Sequence, residues 1–157
     1  MNKPEARPTI ALILETNNLR GSTEEDRVLK SLERLLQHLS AQTFPVRDLT
    51  EVVLTHDGLT DQHRAVLEAA LGRPIRFVAV APETGYYEAK NQGFDATTAD
   101  IVVYADADCW PDPAWLARLV APLVGDAQAE VVAGRTTYRD DLLGIAATSI
   151  DFMYFPS

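Results

Sequence analysis

Apolar residues follow two alternating patterns along this chain. Short, largely apolar runs at residues 9–14 (TIALIL), 51–55 (EVVLT), 75–80 (IRFVAV) and 101–105 (IVVYA) read as strands, the first and the last of them buried. Between them, apolar positions recur at helical spacing. Val28, Leu29, Leu32, Leu35, Leu36 and Leu39 form one stripe, and Ser22 and Glu25 have the spacing of a capping box that opens it. Residues 61–71 read as a second helix, with Gly72 past its end and Pro74 beyond as a stop. Residues 86–97 read as a third. Asp112 before Pro113 reads as the N-cap and first-turn proline of a fourth, with Trp115, Leu116, Leu119, Val120 and Leu123 as its buried face. A fifth strand is expected over residues 130–136 and a last helix over 141–153. Strands alternating with helices predict an α/β fold, a mostly parallel sheet with helices on both faces. No repeat or linker interrupts residues 1–157, so a single domain is expected.

Composition narrows the partners. The net charge of −9 argues against nucleic acid and against anionic lipid. A phosphate-bearing ligand would need a metal or a few placed cations. The lone cysteine, Cys109, excludes an internal disulfide and a multi-cysteine zinc site. No apolar stretch approaches about 18 residues, so no membrane span is encoded. The first residues lack the apolar core of a signal peptide, and a reduced, cytoplasmic setting is the default expectation.

The candidate chemistry lies where the fourth run stops, at Asp106-Ala107-Asp108. An open α/β sheet binds ligands outside the carboxyl ends of its strands. Two neighbouring carboxylates repel unless something positive sits between them. A hard divalent cation carrying a substrate's phosphates is a natural partner, because such ions take oxygen ligands. The plainer reading is a strand-to-turn junction in which Asp satisfies backbone donors. The ends of the first and second strands, Glu15-Thr16-Asn17-Asn18 and His56-Asp57-Gly58, should converge on the same edge.

In that order of motifs the chain resembles the family 2 glycosyltransferases, which have the Rossmann-like GT-A fold. The resemblance rests on Glu15-Thr16-Asn17-Asn18, on His56-Asp57-Gly58-Leu59-Thr60-Asp61, on Ala89-Lys90-Asn91-Gln92-Gly93, on Asp106 to Asp108, and on the helix start from Pro113 to Leu116. It implies donor-binding roles residue by residue. Asp57 would contact the nucleotide base, and Glu15 would line the base pocket. Asp106 would face the ribose or the metal. Asp108 would ligate Mn2+ or Mg2+ on the diphosphate of a nucleotide-diphosphate sugar, and Lys90 would add positive charge near the phosphates. Three positions depart from the family pattern: Glu15 stands for a proline, Asn17 for an aromatic and His56 for an aspartate.

The implied activity is inverting sugar transfer, which needs a general base for the acceptor hydroxyl. Asp140, Asp141 and Asp151 are the carboxylates beyond the expected fifth strand, and each reads better as a helix cap or a solvated charge. The last residues, Ile150 to Ser157, are aromatic and apolar. The chain is therefore expected to be the donor-binding half of a larger transferase, weak in transfer by itself. It is expected to self-associate, or to need a further segment, to cover Phe152, Tyr154 and Phe155. The alternative is a non-catalytic nucleotide-sugar-binding or assembly fragment. A dehalogenase-type phosphatase would carry its Asp-x-Asp near the N-terminus, and a nucleotidyltransferase would need a glycine-rich basic loop after the first strand. This chain has neither.

Overall fold

The structure, a computed structural model of the chain, describes residues 7–16, 25–138, 142–144, 146 and 147. Its elements are β1 (Ile10–Glu15), α1 (Glu25–Ser40), β2 (Glu51–His56), α2 (Asp61–Leu71), β3 (Arg76–Ala79), α3 (Tyr86–Asp95), β4 (Ile101–Asp106) and α4 (Trp115–Gly125). The four strands form one parallel sheet in the order β3-β2-β1-β4.

Every residue of β1 is buried. That explains its unbroken apolar run, because a central strand of a parallel sheet is covered on both faces. Ile10, Leu12 and Leu14 join Leu32, Leu35, Leu36 and Leu39 of α1, Leu67 and Leu71 of α2, and Leu116 and Val120 of α4 in one core. Fully burying a side chain such as Leu12 or Leu36 contributes roughly 1.5–3 kcal/mol. The opposite face of the sheet is covered by α3. There Gly93 lies against Ile13 and Thr55, so close that a Cβ at Gly93 would sit 2.6 Å from Ile13 Cγ2. Helices thus lie on both faces, as the alternation of elements predicts.

The strand order decides where a ligand can enter. The chain steps outward from β1 to β2 to β3, then returns across the other face through α3 to place β4 on the far side of β1. The order reverses between β1 and β4. A crevice opens at such a reversal, outside the carboxyl ends of the two strands. Those ends are Glu15 and Asp106, which are direct partners in the register.

Local signals explain most boundaries. Gly72 closes α2 in the left-handed conformation at φ 79°, its N–H donating to the carbonyl of Glu68. Thr60 and His63 form a reciprocal capping box at the start of that helix. The box goes unseen in the sequence because histidine replaces the usual Glu or Gln. The Ser22 half of the capping box expected for α1 lies outside the described residues, as does most of the helix expected over 141–153, of which 142–144 and 146–147 are helical.

Two expectations are corrected. Residues 130–136 form no strand. Val131 and Val132 carry strand propensity, but the segment runs beside α4 rather than along the sheet, and Gly134 abuts the indole of Trp115. Propensity without a hydrogen-bonding neighbour does not make a strand. Asp112 is not the N-cap of α4, which begins at Trp115 with Ala114 as N-cap. Asp112 instead closes the preceding turn, its Oδ1 accepting from the Ala114 N–H at 2.9 Å and its carbonyl from the Trp115 N–H at 2.9 Å.

Candidate functional site

Because all four strands run in parallel, their carboxyl ends gather Glu15, Thr16, His56, Asp57, Asp106 and Asp108 at one edge of the sheet. Thr55, Glu15 and Asp106 stand side by side in the register, on the face covered by α3. Glu15 is fully buried. Asp57 and Asp108 are exposed beyond the strand ends.

β4 ends in a tight turn closed by the Cys109 N–H donating to the Asp106 carbonyl at 3.1 Å. The buried Ala107 anchors that turn in the core. A strand-to-turn junction is therefore present, yet the carboxylates do not serve it. Among the described residues, the contacts to Asp106 come from the side chains of α3 and the contact to Asp108 from Cys109 Sγ at 3.9 Å. The plain reading of these aspartates as acceptors for backbone donors does not describe them.

α3 starts at the same edge and aims two side chains at Asp106. Tyr86 and Lys90 are one turn apart and share a face of the helix. Lys90 Nζ lies 2.6 Å from Asp106 Oδ1, and the Tyr86 hydroxyl donates to the same oxygen at 2.7 Å. Lys90 Nζ also donates to the Tyr86 hydroxyl, closing a triangle. Burial works against the charge on Lys90, but the hydrogen bonds to Asp106 and Tyr86 and the charge of Asp106 outweigh it, and the lysine pKa sits above its ordinary value. For Tyr86 burial acts in the opposite sense and raises the pKa above its ordinary value. Lys90 is thus not a solvated helix charge, since its side chain is only 18% exposed.

The turn that carries Asp108 is held from the other face by α1 and the residues after it. Ser31 Oγ donates to the Ala107 carbonyl at 2.9 Å, and the Arg34 guanidinium lies 3.5 Å from the centroid of the Trp110 ring. Gln42 reaches across with both ends of its amide. Its Nε2 donates to the Asp112 carbonyl at 2.8 Å, and its Oε1 accepts from the Leu116 N–H at 2.9 Å. These contacts fix both flanks of the Asp108 turn before any ligand arrives. Sequence reading misses Ser31, Arg34 and Gln42, because each acts across a long stretch of chain. Tyr86, with Tyr87, reads from the sequence either as a border of the donor pocket or as packing at the helix start, and its bond to Asp106 is what the sequence does not show.

His56 holds the turn that follows β2. Its Nδ1 accepts from the N–H groups of Gly58 at 3.3 Å and Leu59 at 3.1 Å. Both bonds need a lone pair on Nδ1, which leaves that nitrogen nothing for a metal. Burial, and then the nearby Arg64 charge, lower the His56 pKa below its usual 6.5. A histidine with a depressed pKa contributes stability that is present above its unfolded pKa and lost as pH falls through the folded one. Chemical denaturation between about pH 7.5 and pH 5.5 should show stability falling with pH, and His56→Asn should flatten that slope. An unchanged slope in the variant would rule out His56 as its source.

Cys109 offers no nucleophile. Burial, then the charges of Asp108 and Asp106, push its thiol up to about 11. Among the described residues no three or more His, Cys, Asp or Glu side chains group as a ready-made metal cage. The oxygen donors of Asp106 and Asp108 suit Mg2+ or Mn2+, and such ions are commonly held by one or two carboxylates together with substrate phosphates and water. The residues present fit a divalent ion that arrives with a diphosphate. Also among the described residues, no helix is long and apolar enough to cross a membrane.

Known proteins share sequence and fold with this chain. An undecaprenyl-phosphate 4-deoxy-4-formamido-L-arabinose transferase of Pseudomonas fluorescens is 33% identical over 95 residues, 59% of this chain and 28% of that protein. Among solved structures, glucosyl-3-phosphoglycerate synthase from Mycobacterium tuberculosis, in complex with Mn2+, UDP and glucosyl-3-phosphoglycerate, superposes with a TM-score of 0.54 at 25% identity. That match covers 76% of this chain and 41% of the synthase. The same synthase in complex with Mg2+ and UDP superposes with a TM-score of 0.53 at 25% identity, over 76% of this chain and 41% of that one. The chain spans less than half the length of these relatives. The sequence model of the family described as Glycosyl transferase family 2 matches residues 23–155. With the parallel sheet and its strand-end carboxylates, that match makes this chain a member of the family 2 glycosyltransferases.

Proposed function

We propose that this chain binds a nucleoside-diphosphate sugar in the crevice between β1 and β4, through Mn2+ or Mg2+, as the donor-binding part of an inverting sugar transfer. The observation that carries the reading is the meeting of Asp106, Asp108 and Lys90 at the point where the strand order reverses. Glu15 stands beside Asp106 in the register, buried behind the crevice. Asp57, past the end of β2, faces the base. Asp108, free of the α3 triangle, is the metal ligand, and Asp106 stands beside it.

As the anomeric C–O bond breaks, negative charge grows on the leaving diphosphate. A divalent ion at Asp108 would stabilise that charge as a Lewis acid. Lys90 supplies a fixed positive charge at the same edge, and the clamped 107–112 turn holds Asp108 in place without reorganisation at the moment of reaction. The M. tuberculosis synthase, with its UDP and Mn2+ or Mg2+ complexes, supports UDP as the first nucleotide to try.

A thermal-shift series tests the reading. The chain is melted with UDP, GDP, dTDP or their sugar conjugates, each in Mn2+ and in chelator. Ligand at about 100 times its Kd adds about 2.7 kcal/mol, or roughly 5–10 °C for a domain of this size. One nucleotide should give such a rise in Mn2+ and lose it in chelator. No shift with any nucleotide would overturn the proposal. Transfer to added acceptors then separates catalysis from binding alone.

A further inference from the structure

We propose that Tyr86 is a positioning residue for the donor site, and that it acts through Asp106. The proposal rests on the donor-binding reading above. A partly exposed Lys–Asp pair is by itself a loose device, because the lysine has many rotamers and water competes for both charges. Here the pair is not alone. The Tyr86 hydroxyl donates a hydrogen bond to Asp106 Oδ1 and accepts one from Lys90 Nζ. The donor and acceptor inventory of the triangle closes.

The phenol is a suitable brace because its ring is itself held. It packs edge-on against Tyr87, with centroids 4.9 Å apart and planes at 76°, and Lys90 Nζ lies 4.2 Å from its centroid. Tyr86 is also the first residue of α3, so its backbone is set by the helix start at the ligand edge. Both Tyr86 and Lys90 address the same oxygen, Oδ1. With Oδ1 occupied and the carboxylate held in one rotamer, Asp106 presents Oδ2 to the donor. Asp106 is thereby reserved for orienting the donor, and the metal is left to Asp108.

The test is a double-mutant cycle on the full chain. UDP affinity in Mg2+, which leaves the resonances sharp, is measured by NMR titration for the parent, Tyr86→Phe, Asp106→Ala and the double variant, with melting curves confirming that each is folded. Tyr86→Phe should weaken UDP about 5–10-fold, within the range that misplacing a site group can cost. In the Asp106→Ala background the same change should cost nothing further. A hydroxyl that only stabilises α3 would cost the same in both backgrounds, and that result would overturn the proposal, as would unchanged affinity in Tyr86→Phe. A parent chain that fails to bind any nucleoside diphosphate would instead overturn the donor reading itself. A second arm needs no ligand. A crystal structure of Tyr86→Phe should show Asp106 in more than one rotamer, and a single unchanged rotamer would also overturn the positioning role.

Discussion

Asp108→Ala is expected to remove the metal-dependent part of nucleoside-diphosphate binding, a loss on the order of 100-fold or more. The carboxylate is exposed at the end of β4, its turn is clamped on both flanks, and no third metal-binding side chain stands by to replace it among the described residues. The ion's remaining ligands would be phosphate and water, so losing this one removes the protein's main hold on it. Calorimetric titration of UDP in Mn2+ measures the effect. Asp48→Ala is the control, because it changes the net charge equally from the short helical turn Val46–Asp48 that precedes β2. Equal affinity in Asp108→Ala and the parent would exclude Asp108 as the metal ligand.

Gly93→Ala is expected to destabilise the fold and to weaken the site together. In an open helix, alanine in place of glycine would stabilise by about 0.5–1 kcal/mol. Here the new Cβ would stand 2.6 Å from Ile13 Cγ2 and 3.3 Å from Thr55 Cγ2. Ile13 is β-branched, fully buried and part of the central strand, so it has little room to yield. Overpacking of this kind costs about 1–3 kcal/mol, more than the helix gains. Unfolding should shift down by roughly 2–4 °C for each kcal/mol lost. α3 would also stand off from the sheet, drawing Lys90 away from Asp106. A variant as stable as the parent would show that α3 can move aside freely, and the close approach would then have no consequence.

Gly93 also illustrates what a sequence can convey. Its place in Ala89-Lys90-Asn91-Gln92-Gly93 marks a motif, whereas its reason, the contact between α3 and β1, is visible only in three dimensions. The strands and the helices between them are legible because burial on two faces writes continuous apolar runs in the central strands β1 and β2, and burial on one face writes helical stripes. Gathering Glu15, Asp57, Asp106 and Asp108 at one edge follows from parallel strands alone. What escapes is whatever depends on a side chain crossing between elements. The Tyr86–Lys90–Asp106 triangle joins α3 to β4, and Ser31, Arg34 and Gln42 reach from α1 and its end to the Asp108 turn. No local period records such contacts. The segment 130–136 fails in the opposite sense, having local strand character but no strand beside it.

The central claim is that a divalent ion and a nucleoside diphosphate share the carboxyl edge of the sheet at the Asp108 turn. Paramagnetic broadening by substoichiometric Mn2+ tests it most directly, read on backbone amides with and without UDP. With UDP present, broadening should be strongest at Glu15, Thr16, Asp57 and residues 106–110. It should be weakest at Thr9, Thr50 and Asp100, which lie at the opposite ends of the strands. Broadening spread evenly over the acidic surface, or unchanged by UDP, would contradict the account.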